Sequence, residues 1–364
     1  MSQERRFADP AAVRALATRI ARLAEGVSRR LTIMEVCGTH THAVAAAGLR
    51  RLLPPNVRLI AGPGCPVCVT PVGYVDRAEA LARRDDVIVT TFGDLVRVPS
   101  SHGSLERCRA EGGNVHVVYS PRDALAVARE HPDRTVVFLG VGFETTTPTV
   151  AAALAEAEEC GIANFQVLAG HKTMPPPMRA LALDPAVRVD GFLLPGHVSV
   201  IVGSDAFEFV ASELGRAAVV VGFAPTDVLR GVEAIVRQVL EGRAAIENLY
   251  TRAVTPEGNR GARALVERHF TPADAVWRGL GPIPGSGLAL RDDLAHRDAG
   301  RLAVEVGAPV EPPGCRCGDV LRGVIDPPEC QLFGRACTPA SAVGACMVSS
   351  EGSCAAWYRH EGRA

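Results

Sequence analysis

The sequence predicts an α/β protein: two parallel-sheet α/β units around a cleft, followed by a C-terminal domain rich in cysteine. Short apolar, β-branched runs recur along the first two thirds of the chain, and stretches with helical spacing separate them. Regular alternation then stops, and six cysteines fall within residues 315–354. The predicted domains are therefore residues 1–132, 133–250 and 251–364.

Composition excludes several classes of function. The chain has 364 residues, of which 47% are hydrophobic and 22% charged, as expected for a compact globular protein. A net charge of -1 without a basic stripe argues against nucleic acid and acidic membranes as partners. The polar start lacks the features of a secretory signal, and no apolar run reaches the length of a membrane span, so we expect a cytoplasmic protein. Eleven cysteines in such a chain indicate metal or redox ligands rather than a disulfide framework.

The first predicted unit alternates strands and helices. Asp9 and Pro10 are an N-cap and a first helical residue, so a helix is expected to begin there. Strands are predicted at 31–36, 57–61, 87–91 and 115–119. Helices are predicted at 43–53, 73–84 and 121–130, the first of them stopped by two prolines.

The second predicted unit has strands at 134–139, 164–169, 191–194 and 217–221, and a strongly amphipathic helix that ends at Gly242. The segment GFETTTP at 142–148 resembles a phosphate cradle in its glycine and hydroxyl content. It lacks a Walker lysine, so a plain βα turn with threonine caps is favoured. Beyond Val254 turns dominate, and 281–287 is predicted to be a loop.

Two cysteine motifs follow neighbouring predicted strands. Cys37 begins CGTHTH at 37–42, while Cys65 and Cys68 lie in GPGCPVC at 62–68. Because the carboxyl ends of neighbouring parallel strands face one crevice, three thiols and two imidazoles are expected to converge there. Two thiols separated by two residues close a disulfide or bind a soft metal. The third cysteine favours metal binding, while a tight turn of buried cysteines and a thioredoxin-like redox pair remain open.

The cysteines of the tail fit neither a zinc ribbon nor the compact motif of bacterial ferredoxins. Four sulfurs that the fold brings together can hold a [4Fe–4S] cluster whatever their spacing, which leaves two for a dithiol. A structural zinc site is the alternative. The six are Cys315, Cys317, Cys330, Cys337, Cys346 and Cys354.

Together these motifs resemble the HypD family of [NiFe]-hydrogenase maturation proteins over essentially the whole chain. The resemblance rests on CGTHTH, GPGCPVC, GFETTTP, PGHVS at 195–199, and CRCGDVLRG, CQLFGRACTP and GACMVSSEGSC in the tail. It implies a scaffold on which the Fe(CN)2CO moiety of the hydrogenase active site is assembled together with a HypC-type chaperone. It also implies a HypE-type protein that donates cyanide, and a role closer to a cofactor-assembly scaffold with redox activity than to a turnover enzyme.

The resemblance also implies roles for particular residues. Cys37, Cys65 and Cys68 would be the iron-site and redox thiols, with His42 as a nearby helper. The C-terminal domain would be an iron-sulfur domain that carries a [4Fe–4S] cluster. From the chemistry of cluster and dithiol we predict that electrons pass from this cluster to the Cys65/Cys68 pair. We predict that its ligands are Cys330, Cys337, Cys346 and Cys354, which leaves Cys315 and Cys317 as the spare pair.

Two other functions remain open at this point. The first is an iron-sulfur-dependent protein disulfide reductase, which would use the same thiols on a protein substrate. The second is a nucleotide-binding α/β protein stapled by zinc.

Overall fold

The strands form two parallel β-sheets and one antiparallel pair in the computed structural model, which describes residues 9–362. The strands are β1 (Leu31–Glu35), β2 (Val57–Ala61), β3 (Val87–Thr91), β4 (Val115–Val117), β5 (Thr135–Gly140), β6 (Phe165–Ala169), β7 (Gly191–Leu194), β8 (Ala217–Val220), β9 (Ile246–Asn248), β10 (Phe270–Trp277) and β11 (Gly281–Leu290). The first sheet has the order β2-β1-β7-β8-β9, the second has the order β4-β3-β5-β6, and β10 pairs with β11. The predicted α/β class with two parallel sheets is confirmed.

Helices connect most successive strands, as parallel pairing requires. They are α1 (Pro10–Ala24), α2 (Gly38–Ala46), α3 (Pro66–Val69), α4 (Val72–Ala82), α5 (Leu105–Ala110), α6 (Pro121–Glu130), α7 (Thr147–Glu159), α8 (Pro175–Leu183), α9 (Gly196–Val202), α10 (Glu208–Ser212), α11 (Pro225–Leu240), α12 (Arg260–His269), α13 (Cys317–Leu321) and α14 (Ser353–His360). Short 3-10 turns occur at Leu49–Leu52, Gly93–Arg97, Asp205–Phe207, Asp292–Arg297, Ala299–Arg301, Pro327–Glu329 and Ala345–Met347.

The strands are divided between the sheets in a way that does not follow the predicted boundary at residues 132 and 133. The chain builds β1 and β2 of the first sheet, moves to the second sheet for β3–β6, and returns to the first for β7–β9. Because β3 pairs with β5 and β1 pairs with β7, each sheet takes strands from both sides of that boundary. Buried parallel strands are all apolar runs of similar length, so their pattern does not specify which strands become neighbours.

Helix α1 begins at the predicted cap. The Asp9 side chain accepts a hydrogen bond from the N–H of Ala11 at 3.0 Å, and Pro10 occupies the first helical position. The buried side chains of Leu16 and Ile20 pack in one core with those of α11. Burial of an Ile or Leu side chain contributes about 1.5–3 kcal/mol, so this apolar face rather than the cap holds α1 in place.

Helix α2 begins at Gly38, which corrects the predicted start at residue 43. Cys37 is its N-cap in an extended conformation, with φ -147° and ψ 125°. The N–H of Gly38 is satisfied by the carbonyl of Gly64 at 2.8 Å. Because a carbonyl of another loop binds an N–H of the first turn, the helix does not depend on an N-cap side chain. The local sequence therefore lacks the residues that usually mark the start of a helix.

Strand β11 corrects the predicted loop at 281–287. It pairs antiparallel with β10, and a register shift falls between Ala273 and Ala275. The prolines Pro282 and Pro284 are tolerated because a strand of a two-stranded ribbon has only one neighbour to bond with.

The C-terminal region packs directly on the first sheet. Met34 of β1 and Ile60 of β2 share a hydrophobic core with buried residues of the tail, among them Cys346. Helix α14 packs against α2, and Arg50 reaches across to the ring of Trp357 at 5.0 Å. Of the helices in residues 9–362, none combines the length and the apolar character that crossing a membrane requires.

Candidate functional site

The two cysteine loops of the N-terminal part are in direct backbone contact. Strands β1 and β2 are parallel neighbours, so the loop after each begins at the same edge of the first sheet. The N–H of Gly62 donates to the carbonyl of Glu35 at 2.7 Å. A Cβ placed on Gly64 would lie 2.2 Å from the backbone nitrogen of Cys37, so only glycine allows this approach. The fold thus brings the chain at Cys37 against the loop that carries Cys65.

The thiol of Cys37 lies in a buried polar environment. The residue is 7% exposed, and the backbone N–H groups of Thr39 and His40 point at its sulfur. Burial raises the pKa of Cys37 to about 12, and the nearby carboxylates of Glu351 and Glu35 raise it further against those two N–H groups. The sulfur is therefore a thiol in the free protein, and a bound cation would stabilise its thiolate.

Glu351 is a site residue that the sequence reasoning missed. Its carboxylate accepts a hydrogen bond from Thr39 Oγ1 at 2.7 Å, and its Cβ lies where a side chain on Gly38 would clash. Glu35 is fully buried and accepts from Thr41 Oγ1 at 2.6 Å, and burial raises its pKa to about 8. The one available signal was the position of Glu351 between the last two cysteines of the tail.

Cys65 and Cys68 form a compact pair at the short helix α3. Cys65 is the N-cap, and its sulfur accepts from the N–H of Cys68 at 3.3 Å. The side chain of Cys68 contacts both Cys65 and Cys346 of the tail. Burial and these two thiols raise the pKa of Cys68. The pair thus connects the first sheet to the tail through Cys68.

The tail continues this series of thiols. The side chain of Cys346 lies against the thiols of Cys317, Cys354 and Cys68, which together lower its pKa. Cys317 also contacts Cys315, whose pKa is raised by that contact and by burial. The contacts therefore run without a break from Cys65 through Cys68 and Cys346 to Cys317. All eleven cysteines lie within residues 9–362 and are free thiols.

A small cavity in the tail is lined by most of its cysteines. Gly344 provides room for two of them, since a Cβ there would lie 2.4 Å from the Cys315 sulfur and 2.6 Å from that of Cys317. Cys346 is buried but does not line the cavity. The cysteines that line it are Cys315, Cys317, Cys330, Cys337 and Cys354.

A donor set of cysteine sulfurs around an apolar cavity fits an iron-sulfur cluster in its chemistry. The other lining residues are Arg316, Val320, Leu332, Phe333 and Met347. In residues 9–362, however, no group of three or more His, Cys, Asp or Glu side chains is arranged to hold a single metal ion. The predicted spare pair, Cys315 and Cys317, lines the same cavity as three of the four predicted ligands.

The histidines of CGTHTH point in different directions. His42 faces the C-terminal helix, where its ring stands edge-on to that of His360 with centroids 5.1 Å apart. His40 is fully buried, contacts the carbonyl of Gly222 through Nε2 at 3.0 Å, and packs on Phe223. Burial lowers the pKa of His40 to about 4, so this ring is neutral at physiological pH. The same Phe223 also packs on His197 of the PGHVS motif.

Replacing His171, which follows β6, with Phe is expected to remove part of the acid sensitivity of the fold. The ring is 1% exposed, and neither nitrogen has a hydrogen-bond partner in residues 9–362. Burial lowers its pKa to about 3, so below pH 6.5 the unfolded chain binds a proton that the native ring does not. Between pH 6.5 and pH 5 the wild type should therefore lose about 1.5 kcal/mol more stability than His171→Phe.

Urea unfolding at the two pH values measures this difference. His102→Phe, at an exposed loop position, is the control and should follow the wild type. If His171→Phe and the wild type lost the same unfolding free energy between the two pH values, the native His171 ring would not have the lowered pKa.

Comparison with known proteins gives consistent matches over the whole chain. The family model HypD, described as "Hydrogenase formation hypA family", matches residues 11–361. The "Hydrogenase maturation factor HypD" of Azotobacter vinelandii is 47% identical over 362 residues, which covers 97% of this chain and 95% of the relative. The protein of the same name from Escherichia coli (strain K12) is 46% identical, covering 95% and 93%. The "Hydrogenase expression/formation protein HupD" of Azotobacter chroococcum mcd 1 is also 46% identical, covering 97% and 95%.

Proposed function

Because the chain belongs to the HypD family of hydrogenase maturation factors, we propose that it is the scaffold on which the Fe(CN)2CO moiety of the [NiFe]-hydrogenase active site is assembled. The iron is the substrate. Cys37, Cys65 and Cys68 are not arranged as a metal site in residues 9–362 of the free protein, so their sulfurs would have to converge on the iron to hold it as thiolates. Thiolates are soft donors that suit an iron with strong-field ligands. The observation that carries the proposal is the backbone contact between the Cys37 loop and the loop of the Cys65/Cys68 pair. His42 would assist from α2 without binding the iron.

The proposal includes partners, since the chain itself supplies neither cyanide nor a hydrogenase. A HypC-type chaperone would share the iron, and a HypE-type protein would donate cyanide from a thiocyanate. A cytoplasmic location fits a chain whose cysteines must remain reduced between rounds of assembly.

Release of cyanide from a thiocyanate requires two electrons, which a dithiol can provide. The balanced step is R–S–CN + protein(SH)₂ → R–SH + HCN + protein(S–S), in which the Cys65/Cys68 pair is oxidised to a disulfide. The pair can hold the iron as thiolates only after it has been reduced again. The contact of Cys68 with Cys346, and of Cys346 with Cys317, supports a second dithiol that restores the first by thiol–disulfide exchange.

A [4Fe–4S] cluster, when bound in the tail cavity, would supply the single electrons that re-reduce this second pair. Cys330, Cys337 and Cys354 line the cavity and stay the proposed ligands. For the fourth ligand the sequence prediction was Cys346. The cavity lining instead favours Cys315, because Cys315 is part of the lining and Cys346, which contacts Cys317, Cys354 and Cys68, is not.

Infrared spectroscopy tests the scaffold function. Protein purified without oxygen from cells that make hydrogenase should show bands of iron-bound cyanide and carbon monoxide. Cys37→Ala, Cys65→Ala and Cys68→Ala should each lose them, whereas Cys160→Ala, at an exposed cysteine, should keep them. Wild-type protein that contains a cluster but shows no such bands would instead support the disulfide reductase.

The fourth cluster ligand is tested by comparing Cys315→Ala with Cys346→Ala. We expect Cys315→Ala to lose most of its iron and acid-labile sulfide. Cys346→Ala should retain both but fail to re-reduce an oxidised Cys65/Cys68 pair, which differential alkylation would show. The reverse result would restore Cys346 as the ligand and make Cys315 part of the spare pair.

A further inference from the structure

Glu144 of the GFETTTP segment is a buried acid that the proposed assembly reaction does not use. It precedes α7 and is only 8% exposed. One carboxylate oxygen accepts from the backbone N–H of Met174 at 2.8 Å, while the other is buried without a hydrogen-bond partner in residues 9–362. Burying a carboxylate oxygen without a hydrogen-bond donor costs folding free energy. We therefore expect a ligand to supply the donor that the free chain does not provide.

Glu144 lines a cavity of about 110 Å³ that is separate from the cysteine cavity. The walls are mostly aliphatic, formed by Ile201 and Val202 of α9, Val266 of α12 and Leu288 of β11, and Thr147 and Thr173 also line the cavity. Arg263 and Glu267, both on α12 and exposed, also line the cavity and carry opposite charges. The cavity is thus an apolar slot with a carboxylate in its lining.

The lining limits the chemistry of a ligand. Phosphate and other anions are disfavoured, because Glu144 and Glu267 outweigh the one cation, Arg263. A wholly apolar ligand would leave the free carboxylate oxygen unpaired. A ligand that fits both features has an N–H donor with positive charge for Glu144 and methylene groups for the walls.

We propose that this cavity binds a primary ammonium group on a short aliphatic chain, as a free alkylamine or as a lysine side chain of a partner protein. The ammonium group binds the free oxygen of Glu144 and compensates its charge, while three or four methylene groups pack against Val202, Val266 and Leu288. The inference rests on the cavity alone and does not depend on the assembly function.

The proposal predicts a dependence on pH. Burial raises the pKa of Glu144 to about 7, so the carboxylate form that pairs with an ammonium group increases between pH 6 and pH 8. The charged groups on the surrounding elements are Arg263 and Glu267 of the cavity lining and Lys172, whose Nζ donates to the carbonyl of Val276 at 2.9 Å. His171, the neighbour of Lys172 in the sequence, is neutral between pH 6 and pH 8, since burial lowers the pKa of His171 to about 3. Affinity for an alkylammonium ion should therefore rise roughly tenfold from pH 6 to pH 8.

Calorimetric titration of the full chain with n-butylammonium chloride at both pH values is the test. We expect Glu144→Gln to weaken binding at least tenfold and to abolish the pH dependence. Glu130→Gln, at an exposed position of α6 outside the cavity lining, should keep both the affinity and the pH dependence. Val266→Phe keeps the carboxylate but fills the slot, so it should also lose binding even if Glu144→Gln proves unstable. Wild-type-like binding in either Glu144→Gln or Val266→Phe would overturn the proposal, as would an undetectable affinity of the wild type.

A second probe separates the two sources of the ammonium group. Nα-acetyl-lysine methylamide carries the same ammonium and methylene stem attached to a peptide backbone. Binding of this probe as tight as that of n-butylammonium supports a lysine of a partner protein. Binding of n-butylammonium alone supports a free amine.

Discussion

Gly64→Ala is expected to destabilise the protein by about 3 kcal/mol and to abolish iron binding at the Cys37 loop. The added Cβ would lie 2.2 Å from the backbone nitrogen of Cys37 and 2.4 Å from its Cα. Both atoms belong to the backbone, so no side-chain rotation relieves the clash, and the two loops must separate. Urea unfolding measures the loss of stability, and the infrared bands of bound cyanide and carbon monoxide measure the loss of the site.

Gly73→Ala is the matched control. Gly73 lies in α4, and its added Cβ would be 3.7 Å from Pro309, an ordinary van der Waals distance. Because alanine is a better helix former than glycine, this variant should be as stable as the wild type or slightly more stable. If Gly64→Ala matched Gly73→Ala in stability and kept its infrared bands, the loop contact would not be what positions Cys37.

Gly344→Ala is expected to remove most of the iron and acid-labile sulfide from the tail while the protein stays folded. Its Cβ would occupy space within 2.4 Å of the Cys315 sulfur and 2.6 Å of the Cys317 sulfur. These sulfurs are ends of side chains, so they can rotate away at modest cost, but they then leave the cavity. Iron and sulfide analysis of protein purified without oxygen measures the effect.

Gly307→Ala serves as the control for that variant, since no atom lies within 4 Å of its added Cβ. It should hold as much iron and sulfide as the wild type. Full loading of Gly344→Ala would mean that neither Cys315 nor Cys317 needs its present position for the cluster. If Gly344→Ala lost its iron and sulfide and also had a much lower unfolding free energy, the substitution would have disrupted the tail as a whole.

The sequence predicted strands β1–β8 because buried parallel strands are short apolar runs bounded by Gly and Pro, whereas β9, β10 and β11 were not predicted. The strand at 57–61 was located to the residue, and the one at 31–36 differs from β1 by a single position. The Asp9 cap and the amphipathic helix before Gly242 were likewise readable from local chemistry. The placement of Cys37 and the Cys65/Cys68 motif after adjacent parallel strands was also predictable, since it requires only that the two strands pair.

Features that depend on contacts between distant segments were not predictable. The start of α2 at Gly38 rests on a carbonyl from another loop, and β11 rests on pairing that overrides its glycines and prolines. Glu351 approaches Thr39 across more than three hundred residues of sequence. The contact between Cys68 and Cys346 has the same origin, so no spacing rule could show that Cys346 contacts the Cys65/Cys68 pair.

Because the chain returns to its first sheet late, the contacts that join Cys65, Cys68, Cys346 and Cys317 can form only late in synthesis. β1 and β2 leave the ribosome early, but their sheet is unfinished until β7–β9 follow, after the whole second sheet has been made. Cys346 comes later still, so Cys65 and Cys68 must wait for nearly the entire polypeptide before they are enclosed. A nascent chain therefore exposes its N-terminal sulfurs to oxidation for most of its translation, and premature release before the tail would leave them exposed permanently.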